Sequence, residues 1–597
     1  MAPNPEEVCS SARTHMGVRG LARQMFAKLR EGCAGGTPMV TLPEQRPTRA
    51  QIAATAHPKA ATAAEGSVAN ATRSDLGSAR ATAVAERDSR WGDRALDPLA
   101  FIPERVNSQI AQRYKIDKHE IGAGGYGKVF VAEDREIKGR RVAIKKVSAL
   151  RRSRREEFKR EAAVMKMLDH PNICKLLETY DEGRSMFLVM EYCAGGELFD
   201  RIVEGAADSG RSGLAEDACA DIVRQTVGAL KHAHARGIAH RDLKPENVCL
   251  IDTPVADPHS APSKRRATKK AAKPKTHVKV IDWGLSAYFQ HNLRCMRSNV
   301  GSVAYAAPEV LEGSSKSDGY TSACDIWSLG VLTYVSLSGR FPFSGSNSSE
   351  QVGNIRSGHF SFAGAEWSDV SGIAKDFVSS CLRRDPSTRP TASTTMEHRW
   401  LRREVEMSHV DAVNAKRVLK SLWQSSVEGY PLSVYASLVA RQMDHQSLHE
   451  LPQVFQDLDL DGDGELDLSE IKSAFETTFG SNSKELRDIE QTFKLLDLDG
   501  SGSINYTEFI AAGLGDRMRT EESLKAAFKA FDIDDNDNRI TRNEFEHVVT
   551  TLHVSEKTFA AEKVFSEFDT DGDGTLDFDE WKAWISTLGI SGARGGA

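Results

Sequence analysis

Four short acidic segments in the last quarter of the chain carry oxygen-bearing side chains at regular intervals. The first, at 459–470, reads Asp-Leu-Asp-Gly-Asp-Gly-Glu-Leu-Asp-Leu-Ser-Glu, and related segments begin at Asp497, Asp532 and Asp569. Their first residues lie 38, 35 and 37 residues apart, which marks an internal repeat. Carboxylate and carbonyl oxygens are the ligands that Ca²⁺ prefers, so each segment is a candidate calcium loop.

Three of the four segments match the EF-hand pattern, in which oxygen ligands occupy loop positions 1, 3, 5, 7, 9 and 12 and glycine occupies position 6. The expected calcium ligands are Asp459, Asp461, Asp463, Glu465 and Glu470 in loop one, Asp497, Asp499, Ser501, Ser503 and Glu508 in loop two, and Asp569, Asp571, Asp573, Thr575 and Glu580 in loop four. Leu466, Ile504 and Leu576 stand at position 8, where paired loops form a short two-stranded link. A single acidic segment is usually a solvated turn, but three well-formed copies at regular spacing favour calcium binding.

The third segment departs from this pattern because one residue is inserted. It counts 13 residues to its terminal glutamate, and Asp537 or Asn538 stands where glycine is expected. Two outcomes stay open, a distorted loop that binds calcium and a loop that holds none. If calcium binds, the ligands are Asp532, Asp534, Asn536 and Glu544. In either case we expect this hand to fold, because an unpaired fourth hand would expose its apolar face.

A second set of residues, earlier in the chain, could handle phosphate. Gly122, Gly124 and Gly127 match G-x-G-x-x-G, which lets backbone N–H groups approach phosphate oxygens. Alone this pattern is weak, since it also marks dinucleotide-binding folds. The Val-Ala-Ile-Lys that follows places Lys145 on a strand where its ammonium can reach phosphate, and Glu161 on a helical stretch can hold it. An exposed Lys–Glu pair is the alternative.

The most specific motif is His-Arg-Asp-Leu-Lys-Pro-Glu-Asn at 240–247. One loop here offers a carboxylate to orient an attacking hydroxyl (Asp242), a cation for a transferring phosphoryl group (Lys244) and an oxygen ligand for magnesium (Asn247). Asp282, in Asp-Trp-Gly, would bind a metal that bridges the phosphates. These residue types predict phosphoryl transfer.

Residues 114–400 carry these motifs in one order, and the stretch resembles the Ser/Thr protein kinases, especially their calcium/calmodulin-dependent branch. The resemblance implies catalytic roles for Asp242, Lys244, Asn247, Lys145, Asp282 and Glu161, with Asn247 and Asp282 as Mg²⁺ ligands. It implies an ATP pocket lined by Ile121, Gly122, Gly124, Gly127, Val129, Ala143, Lys145, Met190, Glu191 and Cys193. It also implies a buried pair of Glu309 with Arg389. Glu197 and Glu246 match positions that hold a substrate arginine, so protein targets with basic residues near the Ser or Thr are expected.

Two departures from this family pattern bear on activity. Trp283 stands where phenylalanine is usual, and the larger ring must pack beneath the metal-binding aspartate. Arg241 normally needs an anionic partner in the activation segment, yet residues 286–303 contain no Asp or Glu. We hypothesise that Ser298 is phosphorylated and supplies the missing charge. Because every ionic catalytic position is filled, an inactive kinase fold is the weaker alternative.

The sequence pattern predicts two lobes that position the phosphate-handling residues and a further region that carries the calcium loops. Residues 114–195 alternate apolar and polar residues, with one helical stretch at 153–168, and predict a small sheet lobe. Residues 196–400 are mostly helical in pattern, interrupted at 252–276 by a basic stretch that predicts a solvated insertion loop in preference to a nuclear-localisation signal. Residues 401–450 predict amphipathic helices. The expected fold class is multidomain: an α+β bilobal kinase fold, an all-α junction and two paired EF-hand lobes.

The order of kinase, helical junction and four EF-hands is similar to that of the calcium-dependent protein kinases of plants and protists, over about residues 110–590. The resemblance implies a disordered variable region at 1–109, a kinase domain at 110–401, an autoinhibitory junction at 402–450, a calmodulin-like domain at 451–590 and a tail at 591–597. It implies a calcium-activated enzyme that transfers the ATP γ-phosphate to protein Ser or Thr. The implied cofactors are ATP, Mg²⁺ and Ca²⁺.

The junction is expected to block the substrate site until calcium-loaded EF-hands take it up. Its candidate apolar contacts, at roughly helical spacing, are Trp400, Leu401, Val405, Val413, Val418, Leu419 and Leu422. The positive charges predicted to meet Glu197 or Glu246 are Arg402, Arg403, Lys416, Arg417 and Lys420. Four alternatives stay open: a plain linker helix, EF-hands that act only as a calcium buffer, a calcium-responsive scaffold with an inactive kinase fold, and a kinase whose junction recruits separate calmodulin.

Composition narrows the remaining partners. The net charge is −6 and 27% of residues are charged, so nucleic acid is not expected as a partner. Nine scattered cysteines without a metal-ligand pattern fit reduced thiols and a cytoplasmic location. No apolar run approaches the about 18–20 residues that span a bilayer, although a basic amphipathic stretch at 16–30 could touch a membrane surface. A monomer is expected.

Overall fold

The structure is a computed structural model of the chain. It describes residues 102–106, 108–124, 127–209, 213–251, 276–289, 296, 302–312, 320–402, 409–428, 430–443, 448, 450–533, 537–551 and 561–587. The amphipathic stretch at 16–30 and residues 252–275 of the basic insertion therefore lie outside the described residues.

A six-stranded sheet forms the first lobe. Its strands are β1 (Glu104–Val106), β2 (Tyr114–Gly124), β3 (Gly127–Asp134), β4 (Arg141–Ser148), β5 (Leu176–Asp181) and β6 (Ser185–Glu191). The order across the sheet is β1-β5-β6-β4-β3-β2; β1 runs parallel to β5 and the other neighbours are antiparallel. Helix α1 (Ile110–Arg113) precedes β2, and α2 (Arg152–Met167) packs on the sheet. The predicted sheet lobe with one long helix is confirmed.

Strand β1 lies inside the region predicted to be disordered, so that prediction does not hold for the last residues of 1–109. Ile102 and Arg105 are buried because β1 completes the edge beside β5, with Glu104 opposite Thr179. Three residues are too few to show a strand periodicity in the sequence. The strand is ordered by the sheet edge that it covers.

The second lobe is mainly helical. Its helices are α3 (Leu198–Ser209), α4 (Glu216–Ala235), α5 (Pro308–Leu311), α6 (Ala323–Ser338), α7 (Ser348–Ser357), α8 (Gly372–Cys381) and α9 (Ala392–Met396). Its short strands are β7 (Ile238–Ala239), paired with β10 (Ala287–Tyr288), and β8 (Val248–Leu250), paired with β9 (Val278–Val280). Helix α6 is buried along almost its whole length, and Gly330 lets Cys381 of α8 approach closely: a Cβ at that glycine would lie 2.8 Å from the Cβ of Cys381.

The rest of the described chain is helical and ends in paired calcium-loop units. The helices are α10 (His409–Glu428), α11 (Tyr430–Gln442), α12 (Leu451–Leu458), α13 (Leu468–Phe479), α14 (Lys484–Arg487), α15 (Ile489–Leu496), α16 (Tyr506–Gly513), α17 (Glu521–Phe531), α18 (Arg542–Thr551), α19 (Ala561–Phe568) and α20 (Phe578–Ile585). Within the described residues, no helix is both long and apolar enough to cross a membrane.

Two small antiparallel ladders join the loops in pairs. Strands β11 (Glu465–Leu466) and β12 (Ile504–Asn505) join loops one and two, and β13 (Ile540–Thr541) and β14 (Thr575–Leu576) join loops three and four. The predicted two-stranded links at position 8 are confirmed, because Leu466 lies opposite Ile504 and Leu576 opposite Ile540.

The junction helices α10 and α11 pack against the EF-hand helices. Val418, Leu419 and Leu422 are buried in the same core as the EF-hand helices. Trp400 and Leu401 belong instead to the core of the kinase helical lobe, and Val413 is exposed. Val405 and Arg403 lie outside the described residues.

Candidate active site and calcium loops

The phosphate-binding lysine is held between two carboxylates. Strand β4 carries Lys145, and its Nζ lies 2.6 Å from Glu161 Oε1 on α2 and 2.8 Å from Asp282 Oδ1. Burial alone would lower the pKa of Lys145, but the two carboxylates outweigh it and raise that pKa above its usual range. The same lysine lowers the pKa of Asp282 against the effect of burial. Both groups are therefore charged at neutral pH.

The catalytic loop presents Asp242 with both oxygens engaged. Its Oδ2 accepts a hydrogen bond from Lys244 Nζ at 2.6 Å, and its Oδ1 accepts one from the backbone N–H of Ser302 at 2.8 Å. Lys244 also donates to Ser302 Oγ at 3.0 Å. Asn247 donates its amide to the Asp242 carbonyl at 2.8 Å, which leaves the amide oxygen as its metal-binding atom. Sequence reasoning missed Ser302, whose only signal was its place after Gly301.

A buried aspartate on α6 fixes the start of this loop. Asp325 accepts from the backbone N–H of His240 and of Arg241, each at 2.8 Å, and bonds His234 Nε2 at 2.8 Å. These bonds hold Arg241 at a φ of 69°, a strained value for a residue with a Cβ. Sequence reasoning missed Asp325 too, although an acid inside an apolar helix was a usable signal.

Trp283 packs beneath the metal-binding segment, as its position requires. Its ring is fully buried and meets the His240 ring edge-on, with centroids 4.7 Å apart. Its Nε1 has no hydrogen-bond partner among the described residues. A Cβ on Gly284 would lie 3.2 Å from oxygens of Asp282 and Glu161, so a larger residue there would press on both carboxylates. The indole therefore fits without displacing the ion pairs.

We expect Trp283→Phe to change kcat less than about threefold. The smaller ring leaves a cavity, which costs about 1–3 kcal/mol of stability, while removing a buried N–H without a partner offsets part of that cost. Steady-state kinetics with a melting curve checks this. A loss of kcat of a hundredfold with an unchanged melting temperature would contradict it and show that the indole sets the active conformation.

Arg241 finds neutral partners in the described structure. Its Nε donates to the Leu285 carbonyl at 2.6 Å and its Nη1 to the Tyr320 hydroxyl at 3.1 Å. Burial raises the pKa of Tyr320 to about 12, so this hydroxyl is not an anion at neutral pH. Ser298 lies outside the described residues, and its phosphorylation stays a prediction.

The residues predicted to line the ATP pocket come together on the sheet lobe. Gly122 pairs with Val129 and Gly124 with Gly127 across the β2–β3 hairpin. A Cβ at Gly127 would lie 2.4 Å from the Lys146 carbonyl, so only glycine fits there. The other predicted residues are Ile121 on β2, Ala143 on β4 opposite Met190 on β6, Glu191 at the end of β6, and Cys193 just beyond it. The Glu191 carboxylate pairs with Lys279 on β9 of the helical lobe, 2.7 Å away.

Glu246 and Glu197, the two acids predicted to bind an arginine of the substrate, lie next to the catalytic loop. Glu246 lies in the short helix Pro245–Asn247, next to Asn247. Glu197 is bridged through its backbone to Cys249, two residues beyond Asn247. Elsewhere in the same lobe, Arg389 forms the expected buried pair with Glu309, at 2.6 and 2.8 Å.

Three EF-hand loops each gather carboxylates into one cluster. The oxygens lie within 4.8 Å of one another in the sets Asp459, Asp461 and Glu470; Asp497, Asp499 and Glu508; and Asp569, Asp571 and Glu580. Burial and the neighbouring carboxylates raise the pKa of Asp459 to about 8, and burial raises the pKa of Glu470 to about 7. Such crowding of like charge fits a divalent cation, which relieves it.

The remaining predicted ligands lie around these clusters. In loop one, Asp463 accepts the backbone N–H of Glu465, and the Glu465 side chain bonds Arg236 of the kinase lobe at 2.7 Å. In loop two, Ser501 Oγ bonds the Ser503 carbonyl at 3.1 Å. In loop four, Asp573 accepts from Thr575 at 2.6 Å. Position 7 contributes a backbone carbonyl in EF-hands, so these side chains need not point at the ion.

Loop three keeps the EF-hand frame. Asn538 takes the glycine position, with a φ of 68°, and its N–H bonds Asp532 Oδ2 at 3.2 Å, as Gly464 N–H bonds Asp459 in loop one. Glu544 accepts the N–H groups of Ile533 and Thr541, each at 2.8 Å. The expectation that this hand folds is confirmed. Asp534 and Asn536 lie outside the described residues.

Two of the described junction cations, Lys416 and Arg417, contact the EF-hand helices or the N-cap of the first of them in this arrangement. Lys416 lies over the Phe479 ring and Arg417 pairs with Glu450. Arg402 bonds the Glu397 carbonyl at 3.1 Å, and Lys420 is exposed. Their predicted contacts with Glu197 or Glu246 concern the calcium-free arrangement and stay a prediction.

The EF-hand region docks onto the kinase through polar contacts that range from exposed to buried. Lys231 Nζ lies 3.1 Å from Asp461 Oδ2 of loop one. At the end of α11, Arg441 bonds Asp169 at 2.7 Å, and Asp169 also accepts the Thr507 N–H at 2.9 Å. The junction helices are thus held by the EF-hands on the kinase surface.

The fold and the two kinds of site define a protein kinase joined to paired EF-hands. The family model of the protein kinase domain matches residues 115–401, and that of the EF-hand domain pair matches 450–512 and 521–586. The chain is 32% identical to calcium-dependent protein kinase 3 of Plasmodium berghei (strain Anka), over 78% of this chain and 79% of the relative. It is 33% identical to calcium-dependent protein kinase 5 of Plasmodium falciparum (isolate 3D7), over 80% and 78%. It is 32% identical to calcium-dependent protein kinase 15 of Oryza sativa subsp. japonica, over 82% and 84%.

The chain belongs to the calcium-dependent protein kinase family. It is a calcium-activated Ser/Thr protein kinase that uses ATP, Mg²⁺ and Ca²⁺, acts on protein substrates and is regulated within its own chain. The predicted family, fold class, activity and cofactors are confirmed. The alternative of an inactive scaffold finds no support.

Proposed function

We propose that Asp242 orients the substrate hydroxyl and accepts its proton, while Lys244 stabilises the transferring γ-phosphoryl group. The observation that carries this is the engagement of Asp242 by Lys244 and the Ser302 N–H, which fixes the carboxylate at the mouth of the site. Lys145 would hold the ATP phosphates, positioned by Glu161. Bound at Asp282 and Asn247, magnesium would neutralise charge on the phosphates.

The ATP pocket follows from the same lobe. The backbone of the β2–β3 hairpin would cover the phosphates, and Val129, Ala143, Met190 and Cys193 would contact the adenine. Asp282 lies on the segment beside Asn247, because the Ile281 N–H bonds the Asn247 carbonyl at 2.9 Å. This backbone bond places the segments of the two candidate metal ligands side by side.

The substrates would be proteins with basic residues near the target Ser or Thr. Glu197 and Glu246 supply negative charge beside the catalytic loop, where an arginine of the substrate could form a charge-assisted hydrogen bond. The protein would act as a cytoplasmic monomer, with residues 16–30 as a candidate membrane-surface contact.

The switch would run through the proposed junction at 402–450, between the kinase domain at 110–401 and the calmodulin-like domain at 451–590. Without calcium, its first part would block the substrate site; with calcium, α10 and α11 would be taken up as they are here. Calcium can shift this balance only by binding one arrangement better than the other.

The test is phosphorylation of an Arg-containing Ser peptide by the purified full chain, without calmodulin, in calcium and in chelator. We expect activity in calcium only, with a KM about tenfold higher when the peptide arginine is replaced by alanine. Activity in both conditions would contradict the switch, and activity only after adding calmodulin would favour the alternative in which the junction recruits it. Equal KM values for the two peptides would contradict the basic specificity alone.

A further inference from the structure

One buried arginine joins the kinase sheet lobe to the third EF-hand. Arg105, on β1, has a side chain that is 0% exposed. Its Nε donates to Glu178 Oε2 on β5 at 2.7 Å. Its two terminal nitrogens donate to the carbonyls of Lys529, at 2.9 Å, and of Asp532. Arg105 precedes the segment that matches the kinase domain, so this bridge is an addition to that domain.

The groups at the two ends of this bridge, backbone carbonyls of the EF-hand and a carboxylate of the kinase, both suit the guanidinium of Arg105. Helix α17 ends at Phe531, and its last carbonyls carry the negative end of the helix dipole. On the other side, burial alone would raise the pKa of Glu178, but Arg113 and Arg105 lower it to about 2. Glu178 is therefore an anion at neutral pH, and the planar fork of Arg105 satisfies anion and carbonyls together.

A lysine of the third hand completes this ionic cluster. Lys529 is buried, and its Nζ lies 2.9 Å from Asp532 Oδ2 and 3.1 Å from Glu136 Oε1 of the kinase. Arg105 Nη1 lies 4.0 Å from Asp532 Oδ1. The carboxylate at position 1 of loop three, itself 0% exposed, thus faces two cations.

Within the described residues, the cations at loops one and four, Lys231 and Arg539, pair with Asp461 and Asp573 at positions 3 and 5, and not with the aspartates at position 1. Asp459 is surrounded by carboxylates, which together with burial raise its pKa. A calcium ion at Asp532 would instead sit beside two buried positive charges, where repulsion is weakly screened. Arg105 and Lys529 are held there by Glu178 and Glu136 as well, so moving either cation away from a calcium ion would also weaken a second buried ion pair. The donor set at Asp532 therefore does not fit calcium.

We propose that the third EF-hand is a docking element, fastened to the sheet lobe by Arg105 and free of calcium, and that the chain binds three calcium ions. The contacts of Arg105 with the third hand are made in the arrangement in which the EF-hands hold the junction helices, so they stabilise that arrangement. This inference rests on the docked EF-hand region and on none of the catalytic roles proposed above.

The first experiment counts calcium ions on the full chain by equilibrium dialysis with radioactive calcium. We expect three ions on the natural protein, three on Glu544→Gln and two on the matched control Glu470→Gln. Glutamine keeps one acceptor for the loop backbone, so the hand retains its frame. Four ions on the natural protein that fall to three in Glu544→Gln would overturn the proposal.

The second experiment tests the fastening by hydrogen exchange in saturating calcium. In Arg105→Met we expect amides of α17 to exchange at least about tenfold faster, and the calcium concentration for half-maximal activity to rise about fivefold or more. The control Arg152→Met removes a guanidinium from an exposed position on the same lobe, so it should change neither quantity. If Arg105→Met does not fold, the same measurements are made on Lys529→Met, which removes the cation that the EF-hand contributes to the same cluster. Unchanged exchange and unchanged calcium dependence in the folded variant would overturn the fastening.

Discussion

Replacing Asp242 with asparagine should lower kcat by about three orders of magnitude while ATP and calcium still bind. A positioned general base contributes about 10²–10⁴-fold to a rate, and this residue also orients the nucleophile. Both of its oxygens face donors, Lys244 and the Ser302 N–H. An asparagine must turn its NH₂ group toward one of these donors. The variant therefore loses the general base and also one of the two hydrogen bonds that hold the side chain in place.

Single-turnover phosphorylation at saturating ATP and calcium measures this loss without interference from product release. Asp376→Asn is the matched control, because it makes the same change on an exposed face of the helical lobe, beside His398. The control should keep kcat within about twofold, since exposed ion pairs contribute little. A kcat for Asp242→Asn within tenfold of the natural protein would refute the assigned role.

The catalytic loop could be predicted because its chemistry is local in sequence. Asp242, Lys244 and Asn247 fall within six residues, so their types and spacing already specify the site. The groups that hold this loop are distant in sequence: Ser302 bonds Asp242 across 60 residues, and Asp325 bonds His240 across 85. No periodicity in a sequence reports such pairings, because they form only when the lobe is packed.

The partner of the basic junction helix could not be predicted from its charges. A basic amphipathic helix needs an acidic partner, and this chain offers two, the acids at the substrate site and the acidic EF-hand region. Charge pattern alone does not choose between them. In this structure Arg417 pairs with Glu450, while Val418 and Leu419 on the same helix are buried among the EF-hand helices. The burial of its apolar side chains thus determines where the helix packs, and the cations pair with whatever acids lie nearby.

Loop three was ambiguous for a related reason. The inserted residue left Asp537 or Asn538 as the turn residue, and only pairing fixes the register. Ile540 lies opposite Leu576 at position 8, so Asn538 is at position 6, where its φ of 68° replaces that of glycine. Asparagine tolerates this left-handed conformation better than most residues. The inserted residue therefore lies between Asp532 and Asn538.

The double variant Glu470→Gln, Glu508→Gln should lose about four-fifths of its calcium-stimulated activity. These glutamates close loops one and two, each accepting three backbone N–H groups from its own loop: Leu460, Asp461 and Asp467 for Glu470, and Leu498, Asp499 and Asn505 for Glu508. Glutamine cannot give a cation the same bidentate carboxylate. Moving the enzyme from 1% to 99% active takes about 5.5 kcal/mol of differential binding, or about 1.8 kcal/mol for each of three sites, so the one remaining site should leave about 18% of the enzyme active and calcium stimulation should fall about fivefold.

The effect should centre on these two loops because they touch the kinase directly. Lys231 pairs with Asp461 of loop one, and Asp169 accepts the N–H of Thr507 on the helix after loop two. Loop geometry set by calcium is thus transmitted to the docked face. Peptide phosphorylation across a calcium titration measures the effect, with Glu544→Gln as the control that should stay within about twofold of the natural protein. If Glu544→Gln instead abolished activation and the double variant kept it, the calcium switch would lie in the hand that Arg105 holds, because only a site that binds the two arrangements differently can shift their balance.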